Sequence, residues 1–386
     1  MTRFIRRVRQ AREDERGMML IFAGLGLIAF MSASMLALDV GMFMVARSQA
    51  QAAADSGALA GAIALAYDDW DDRTPTGPAV QSAINAATSD ANAVMREKVS
   101  VLPSDVTFPA IDRVRVRVLR TTARGNPLLP ILAPMFGIDE VDMGAVATAQ
   151  AAPANAMTCV KPFTVPDKWE EHQTGTWDPT DTFERYYDNG PNKGQLRPDA
   201  DVYIPRGQPG YTGYDAVRDR GTRVVLKATV SSTIEPGIYF PIAIGGVTGA
   251  SEYDWNIGNC NTTVMGFDEP LVAEPGNMVG PTATGMEDLL ERDPTAEWDV
   301  ANRRPVSKMS PSPRVVIIPV FDPAFYDKGK REGRTADFKV VNYIGFFIER
   351  MQGKEVVGRI TPVSGLLTGN GPAPNGAFPK VITLVQ

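Results

Sequence analysis

The chain has 386 residues, with 39 basic and 45 acidic side chains, one histidine and two cysteines. Its length allows one or two domains beyond a membrane anchor. A net charge of −6 offers no positive footprint for nucleic acid, and one histidine with two cysteines cannot build a usual zinc site.

The first seventeen residues hold Arg3, Arg6, Arg7, Arg9, Arg12 and Arg16 against Glu13, Asp14 and Glu15. Residues 18–38, MMLIFAGLGLIAFMSASMLAL, follow without a charge. A helix of that length spans roughly 31 Å, about one bilayer core. An arginine excess holds its flank in the cytoplasm. The expected organisation is a cytoplasmic tail 1–17, a transmembrane helix 18–38, and the bulk of the chain on the periplasmic or extracellular side of a bacterial inner membrane. A secretory signal has a shorter apolar core, about 7–15 residues, although the small residues around Ser32 and Ser34 imitate a cleavage site. A type IV pilin leader is cut after a glycine and places glutamate fifth in the mature chain. Gly17 fits the first condition, but the fifth residue after it is Phe22. A buried core helix needs neither the uncharged length nor the one-sided arginines.

Residues 39–66, DVGMFMVARSQAQAAADSGALAGAIALA, contain no proline and are rich in alanine. The helix is therefore expected to run on as an extension of roughly 40 Å. Ala29, Ala33, Ala37 and Gly41 fall at steps of four, as do Ala46, Ala50, Ala54, Ala58, Ala62 and Ala66. Residues four apart share a helix face, and small ones admit a second backbone. Ala29, Ala33, Ala37, Gly41, Gly57 and Gly61 are accordingly read as an interface for partner helices. The competing reading is that an alanine-rich helix yields such ladders by composition. Asp39 closes the apolar run at headgroup level and Asp55 sits among alanines; neither has a catalytic setting.

The order of these features is specific. A basic segment ends in glycine; an apolar span, LALDVG, an aromatic-containing turn ending in Arg47, and QAQAAADSGALAGA follow. This resembles the N-terminus of TadE/TadG-like proteins of the tight-adherence (Flp) pilus assembly system. There a membrane helix, an aspartate and a Q-x-A-A-D-A-A-A-L-A-G-A stretch precede an extracytoplasmic domain. Asp39, Gln51, Asp55, Ala58, Leu59, Ala60, Gly61 and Ala62 occupy the matching positions. The resemblance covers residues 16–66. It implies a structural component, minor-pilin-like or an assembly subunit, of a Flp-type pilus or secretion apparatus. Such a protein is not an enzyme and needs no cofactor. Its implied partners are the lipid bilayer, other pilus-assembly or pilin-like proteins met through the helix, and the secretin. Larger TadG proteins add a von Willebrand type A domain with a D-x-S-x-S metal site; no D-x-S-x-S occurs here, so metal-dependent adhesion is not carried over.

Residues 67–78, YDDWDDRTPTGP, form an acidic linker. Asp68, Asp69, Asp71 and Asp72 read as a solvated turn, with calcium as the alternative; the glycine and distal glutamate of an EF-hand loop are missing. Residues 79–99 carry Val80, Ile84, Ala87, Ala91, Val94 and Met95 at helical spacing. VRVRVLRT at 114–121 alternates like a half-exposed strand, with Arg113, Arg115, Arg117 and Arg120 read as its solvated face. The three prolines of NPLLPILAPMFG (126–137) keep any helix there short, and 140–151 reads as a closing strand. Residues 79–152 are thus expected to form a small α/β unit.

From residue 157 to 386 glycine and proline rise, and strands are expected at 222–230, 237–244, 314–320, 338–349, 355–361 and 380–385. Outside the cytoplasm Cys159 and Cys260 read as one disulfide. It closes a loop of about 100 residues, worth up to about 4.7 kcal/mol in the chain-entropy model. Thr284 and Glu287 have capping-box spacing for a helix ending near Arg292, and Gly276, Gly280 and Gly285 offer an anion cradle as the alternative. EPGNMVGPT (274–282) and SPRVVIIPVFDP (312–323) resemble, more loosely, TadG-like proteins without the von Willebrand domain. The expected fold class is α+β: a long N-terminal transmembrane helix extending into a small α/β unit, followed by a β-rich extracytoplasmic domain. No G-x-S-x-G elbow accompanies the lone His172. Pairs such as Glu170 or Glu171 with Asp178 or Asp181 satisfy a glycosidase in principle, but 45 acidic residues produce such pairs without function. An anchored adhesin or binding module, then an envelope hydrolase, are the alternatives to a structural role.

Overall fold

The computed structural model describes residues 15–68, 72–95, 97, 99–228, 233–309, 311–333, 338–368 and 378–385. The tail before residue 15 and Asp69 and Asp71 of the linker lie outside the described residues. The chain is mixed α+β, a long apolar helix followed by a β-rich region, and divides into two compact units.

The first unit gathers the described parts of Met1–Ala64, Asp72–Ala149 and Leu384–Gln386. Its spine is helix α1 (Glu15–Tyr67), 53 residues without a proline. At 1.5 Å per residue it is about 80 Å long. Its first half stands open: Leu20, Phe22, Phe30, Leu36 and Met44 are all exposed. In its second half Ala46, Ala50, Ala53, Ala54, Ala58 and Ala62 are buried. Helix α2 (Pro78–Ala87) starts with proline in the first turn, where a missing N–H costs nothing. It stops well short of residue 99. Thr88 Oγ1 joins its own N–H on the Ile84 carbonyl (2.8 Å), and Asn92 Nδ2 takes the Ala86 carbonyl (2.7 Å) that the next helical turn would have used.

Strands β1 (Val106–Ala110) and β2 (Arg113–Arg120) form an antiparallel hairpin, and β3 (Met143–Pro153) lies on the other side of β2. Val114, Val116 and Val118 point inward while Arg113, Arg115 and Arg117 face solvent. Arg120 departs from the expected solvated row. It has the parity of the valines, and a strand alternates faces with period two. Its buried guanidinium donates to the carbonyls of Val94, Asn126 and Pro127 and pairs with Glu97 (2.5 Å).

The second unit comprises the described parts of Leu65–Asp71 and Gln150–Thr383. Its strands are β4 (Ala156–Met157), β5 (Phe163–Pro166), β6 (Arg223–Ala228), β7 (Ile238–Ala243), β8 (Met265–Gly266), β9 (Pro270–Ala273), β10 (Glu297–Asp299), β11 (Arg304–Val306), β12 (Val315–Phe321), β13 (Phe338–Gln352) and β14 (Glu355–Thr361). Six of them close a barrel in the order β12-β5-β7-β6-β14-β13, with β13 pairing back to β12. The β12–β5 and β6–β7 pairs are parallel and the rest of the ring is antiparallel. Closure leaves no unpaired edge in the ring. Phe163, Leu226, Tyr239, Ile318, Val320, Phe346, Ile348, Val356 and Ile360 belong to its core. Gly358 lets β14 hug β13: a Cβ there would sit 2.3 Å from the Phe347 carbonyl. The buried Arg314 lies over the Phe347 ring and donates to the carbonyls of Asp293, Ala296, Ile348 and Glu349.

Helices α3 (Ala250–Gly258), α4 (Val279–Arg292) and α5 (Pro323–Arg331) accompany the barrel. The expected capping box does not form. Helix α4 starts earlier, behind Met278 in a left-handed conformation, and Thr282 Oγ1 bonds the Met278 carbonyl (2.7 Å) inside the first turn. Gly285 is filled against Ile257 of α3, so it offers no cradle. Cys159 and Cys260 are bonded as a disulfide beside the end of α3. Next to it the Lys161 ammonium donates to the carbonyls of Ile257 and Asn259, capping that helix, and burial lowers its pKa to about 8. The last strand, β15 (Lys380–Val385), adds to the β1-β2-β3 sheet at β3.

Asp167, at the end of β5, is fully buried. Its carboxylate accepts from the hydroxyls of Tyr203 (3.0 Å) and Tyr211 (2.8 Å) and from the N–H groups of Tyr214 and Lys168 (2.9 Å each). Desolvation still outweighs these bonds and pushes its pKa up to about 6. Between pH 4 and 6 the folded chain keeps a proton that the unfolded chain has released, so stability falls as pH rises through that window and then levels off. Asp167→Asn removes the effect. The wild type is expected to lose about 3 kcal/mol relative to the variant between pH 4 and 7, read from denaturant unfolding in detergent at each pH. Parallel pH profiles for the two proteins would refute this.

Candidate functional site

The residues singled out in the sequence converge on α1. Asp39, at the end of the uncharged run, is buried. Its Oδ1 accepts from the Ile131 N–H (2.9 Å), its Oδ2 from the Ala133 N–H (2.7 Å), and Leu132 N–H lies 3.1 Å from Oδ2. These three amides open a short 3-10 turn (Ala133–Phe136) and lie between Pro130 and Pro134. Three successive N–H groups thus converge on one carboxylate. The carboxylate therefore does not reach out to solvent or headgroups; it stitches the helix to a loop more than ninety residues away. Around the stitch, Ser32, Ala33, Leu36 and Phe43 of the helix and Leu132, Ala133, Ile138 and Val141 of the loop side line an apolar groove of about 480 Å³.

Further along α1 the motif residues dock the helix on its own α/β unit. Gln51 Nε2 donates to Asp55 Oδ1 (2.8 Å) and to the Val146 carbonyl of β3 (3.2 Å). Gln49 Oε1 accepts from the Met95 N–H (2.9 Å). At Gly57 an added Cβ would lie 3.0 Å from Ala87 Cβ and 3.3 Å from Val116; at Gly61 it would lie 2.8 Å from Val114 and 3.1 Å from Ala83 Cβ. The space expected to receive a partner helix at Gly57 and Gly61 is thus taken by α2 and β2 of the same chain. Leu59 is half-buried. The inner ladder differs: Ala29, Ala33, Ala37 and Gly41 are exposed, and nothing lies within 4 Å of a Cβ built on Gly41.

The carboxylates near His172 serve local structure. Glu171 accepts from the Trp169 indole (3.3 Å) and the Gln173 N–H (2.9 Å), and Asp181 from the Asp178 N–H (2.6 Å). Asp178 holds Thr180 through N–H and hydroxyl at 2.6 Å each, while His172 lies 3.5 Å from the exposed Glu170. In the linker, Asp72 Oδ1 accepts from the Thr74 N–H and hydroxyl, a turn that brings the chain into α2. Among the described residues no group of three or more His, Cys, Asp or Glu is gathered as a metal site. The residues missed by sequence reasoning are the loop amides that bind Asp39. The signal for them is present: an uncharged, triple-proline stretch inside an acidic chain.

Overpacking a close helix contact costs about 1–3 kcal/mol. Gly61→Leu is expected to lower stability by that amount in thermal melts of the detergent-solubilised chain. Gly41→Leu, with open space beyond it, is expected to leave the melt unchanged. Equal behaviour of the two variants would contradict the packing described.

Residues 17–64 match the family model Tad, described as "Putative Flp pilus-assembly TadE/G-like". No curated protein and no solved structure matches the chain. The matched segment is α1 up to the turn before its last residues, and it contains Asp39, Gln51, Asp55, Gly57 and Gly61. The N-terminal helix is therefore a TadE/G-like domain, and it ties this chain to Flp pilus assembly.

Proposed function

We propose that the chain is a single-pass, membrane-anchored structural subunit of a Flp-type pilus or secretion apparatus, not an enzyme. In this reading residues 18–38 cross the bacterial inner membrane, the arginine-rich tail stays in the cytoplasm, and the chain after Asp39 stands on the periplasmic side. One observation carries it. The most apolar 18-residue window of α1 has mean hydropathy 2.1, and none of it is buried by the rest of the chain. A helix apolar on every side is stable only where its surroundings are apolar. The family match on the same helix supplies the assembly context. The disulfide agrees with an oxidising compartment. The exposed small-residue face of Ala29, Ala37 and Gly41 suits close approach of another membrane helix from a pilin-like or assembly subunit, and the secretin is a further candidate partner of the outer units.

Protease added to intact spheroplasts is expected to remove the chain beyond Asp39 and leave a membrane-retained N-terminal fragment. Full protection, or release of the uncut chain without detergent, would overturn the topology. Ala29→Leu with Ala37→Leu is expected to reduce co-purification of pilus-assembly proteins several-fold while the chain still fractionates with membranes. Unchanged recovery would leave the small-residue face without a partner role.

A further inference from the structure

The loop that Asp39 captures has the composition of a membrane-embedded segment. From Asn126 to Ile138 it carries no charge, and Leu129, Ile131, Met135 and Ile138 are half to three-quarters exposed. The stretch lies between Arg124 and Asp139, so the apolar patch has sharp polar boundaries. Its height along α1 is set by covalent and hydrogen-bond geometry. The carboxylate that binds Ile131, Leu132 and Ala133 belongs to the residue that ends the uncharged span. On the helix beside it Leu36, Leu38, Val40 and Met44 are exposed as well, so helix and loop form one continuous apolar band.

Backbone satisfaction points the same way. Irregular backbone at membrane depth needs its N–H groups bonded internally, because lipid offers no acceptor. Pro127, Pro130 and Pro134 have no N–H to satisfy. Leu128 pairs with Val141 in both directions (3.0 and 2.9 Å). Met135, Gly137 and Ile138 bond back to Leu132, Pro134 and Ala133. The amides of Ile131, Leu132 and Ala133 donate to the Asp39 carboxylate. An ordinary solvent loop has water as an alternative partner and needs no such arrangement.

We propose that loop 126–138 rests in the outer-leaflet interface of the membrane that α1 crosses. There Leu129, Ile131 and Met135 sit among acyl chains, and the apolar groove beside Ala33 and Leu36 takes part of a lipid tail. Asp39 is the positioning residue that holds the loop at this depth. The inference rests on the spanning reading of residues 18–38. It adds a second membrane contact that fixes how the first unit meets the bilayer.

The test uses the full chain reconstituted in phosphatidylcholine–phosphatidylglycerol vesicles. The native cysteines are bonded to each other, so Ile131→Cys, Met135→Cys, Leu25→Cys and Val300→Cys each introduce one labelling site for an environment-sensitive fluorophore. Lipids brominated on their acyl chains are expected to quench labels at 131 and 135 to an extent comparable with 25, and to leave 300 unchanged. Adding Asp39→Ala is expected to remove most of the quenching at 131 while that at 25 persists. Quenching at 25 but not at 131 or 135 would overturn this inference and leave the spanning reading intact. The same pattern with the loop cross-linked to a co-reconstituted assembly protein would assign the patch to protein instead. No quenching at 25 would sink the spanning reading and the loop proposal together. Quenching at 131 that survives Asp39→Ala would remove the positioning role from Asp39.

Discussion

The bond between the Asp39 carboxylate and three backbone amides is the constraint on which the first unit depends. Burying a carboxylate is costly unless hydrogen bonds replace those it made to water. Here main-chain N–H groups of a distant loop supply them. The bond lies where the helix changes character. Before it, apolar side chains are mostly exposed; after it, alanines are covered by the chain's own α/β elements. One residue thus fixes which part of a continuous helix belongs to the folded body.

The covered part works by close approach. Alanines and glycines bring little apolar area of their own, but they let α1, α2 and β2 come within van der Waals contact of backbone atoms. Stability then comes from many short-range contacts and from polar pins such as Gln51 on Val146 and Arg120 on three carbonyls. The second unit solves a different problem. Its core strands are rich in β-branched and aromatic residues, and it disposes of exposed edges by closing six strands into a ring. Arg314 and Asp167 are two of its buried ionisable groups, and each is surrounded by suitable partners: four carbonyls for the guanidinium, two hydroxyls and two amides for the carboxylate.

What the sequence revealed follows from which signals are local. The uninterrupted helix through residue 66, the alternation in β2, and strands β12, β13 and β14 were readable because propensity and periodicity act over a few residues. Arg120 was misread as solvated although its parity already placed it with the valines. The helix after residue 78 was overextended because apolar spacing continues past Ala87, while Thr88 and Asn92 decide the end through hydrogen bonds that spacing does not display. Strand β5 and helices α3 and α5 passed unnoticed: β5 has only four residues and ends in proline, and the two helices are short with polar, glycine-containing sequences of weak local preference. Barrel closure was not readable at all. It depends on the parallel pairs β12–β5 and β6–β7, and the first joins segments about 150 residues apart.

A family match confined to residues 17–64 has a physical rationale in the same terms. Each position on α1 answers to two demands, helix continuity and a particular environment. The environment is open and apolar below Asp39 and within about 3 Å of other backbone beyond it. Few residue types satisfy both, so the order apolar span, aspartate, glutamine, aspartate, alanine, glycine is distinctive. A barrel core asks mainly for apolar volume in the right alternation, which many sequences supply. The recognisable signature therefore falls on the helix, where the choice of side chain is narrowest. The Gln51–Asp55 pair makes the point: read as a motif it named a family, and in three dimensions it is the clamp that sets α1 onto β3.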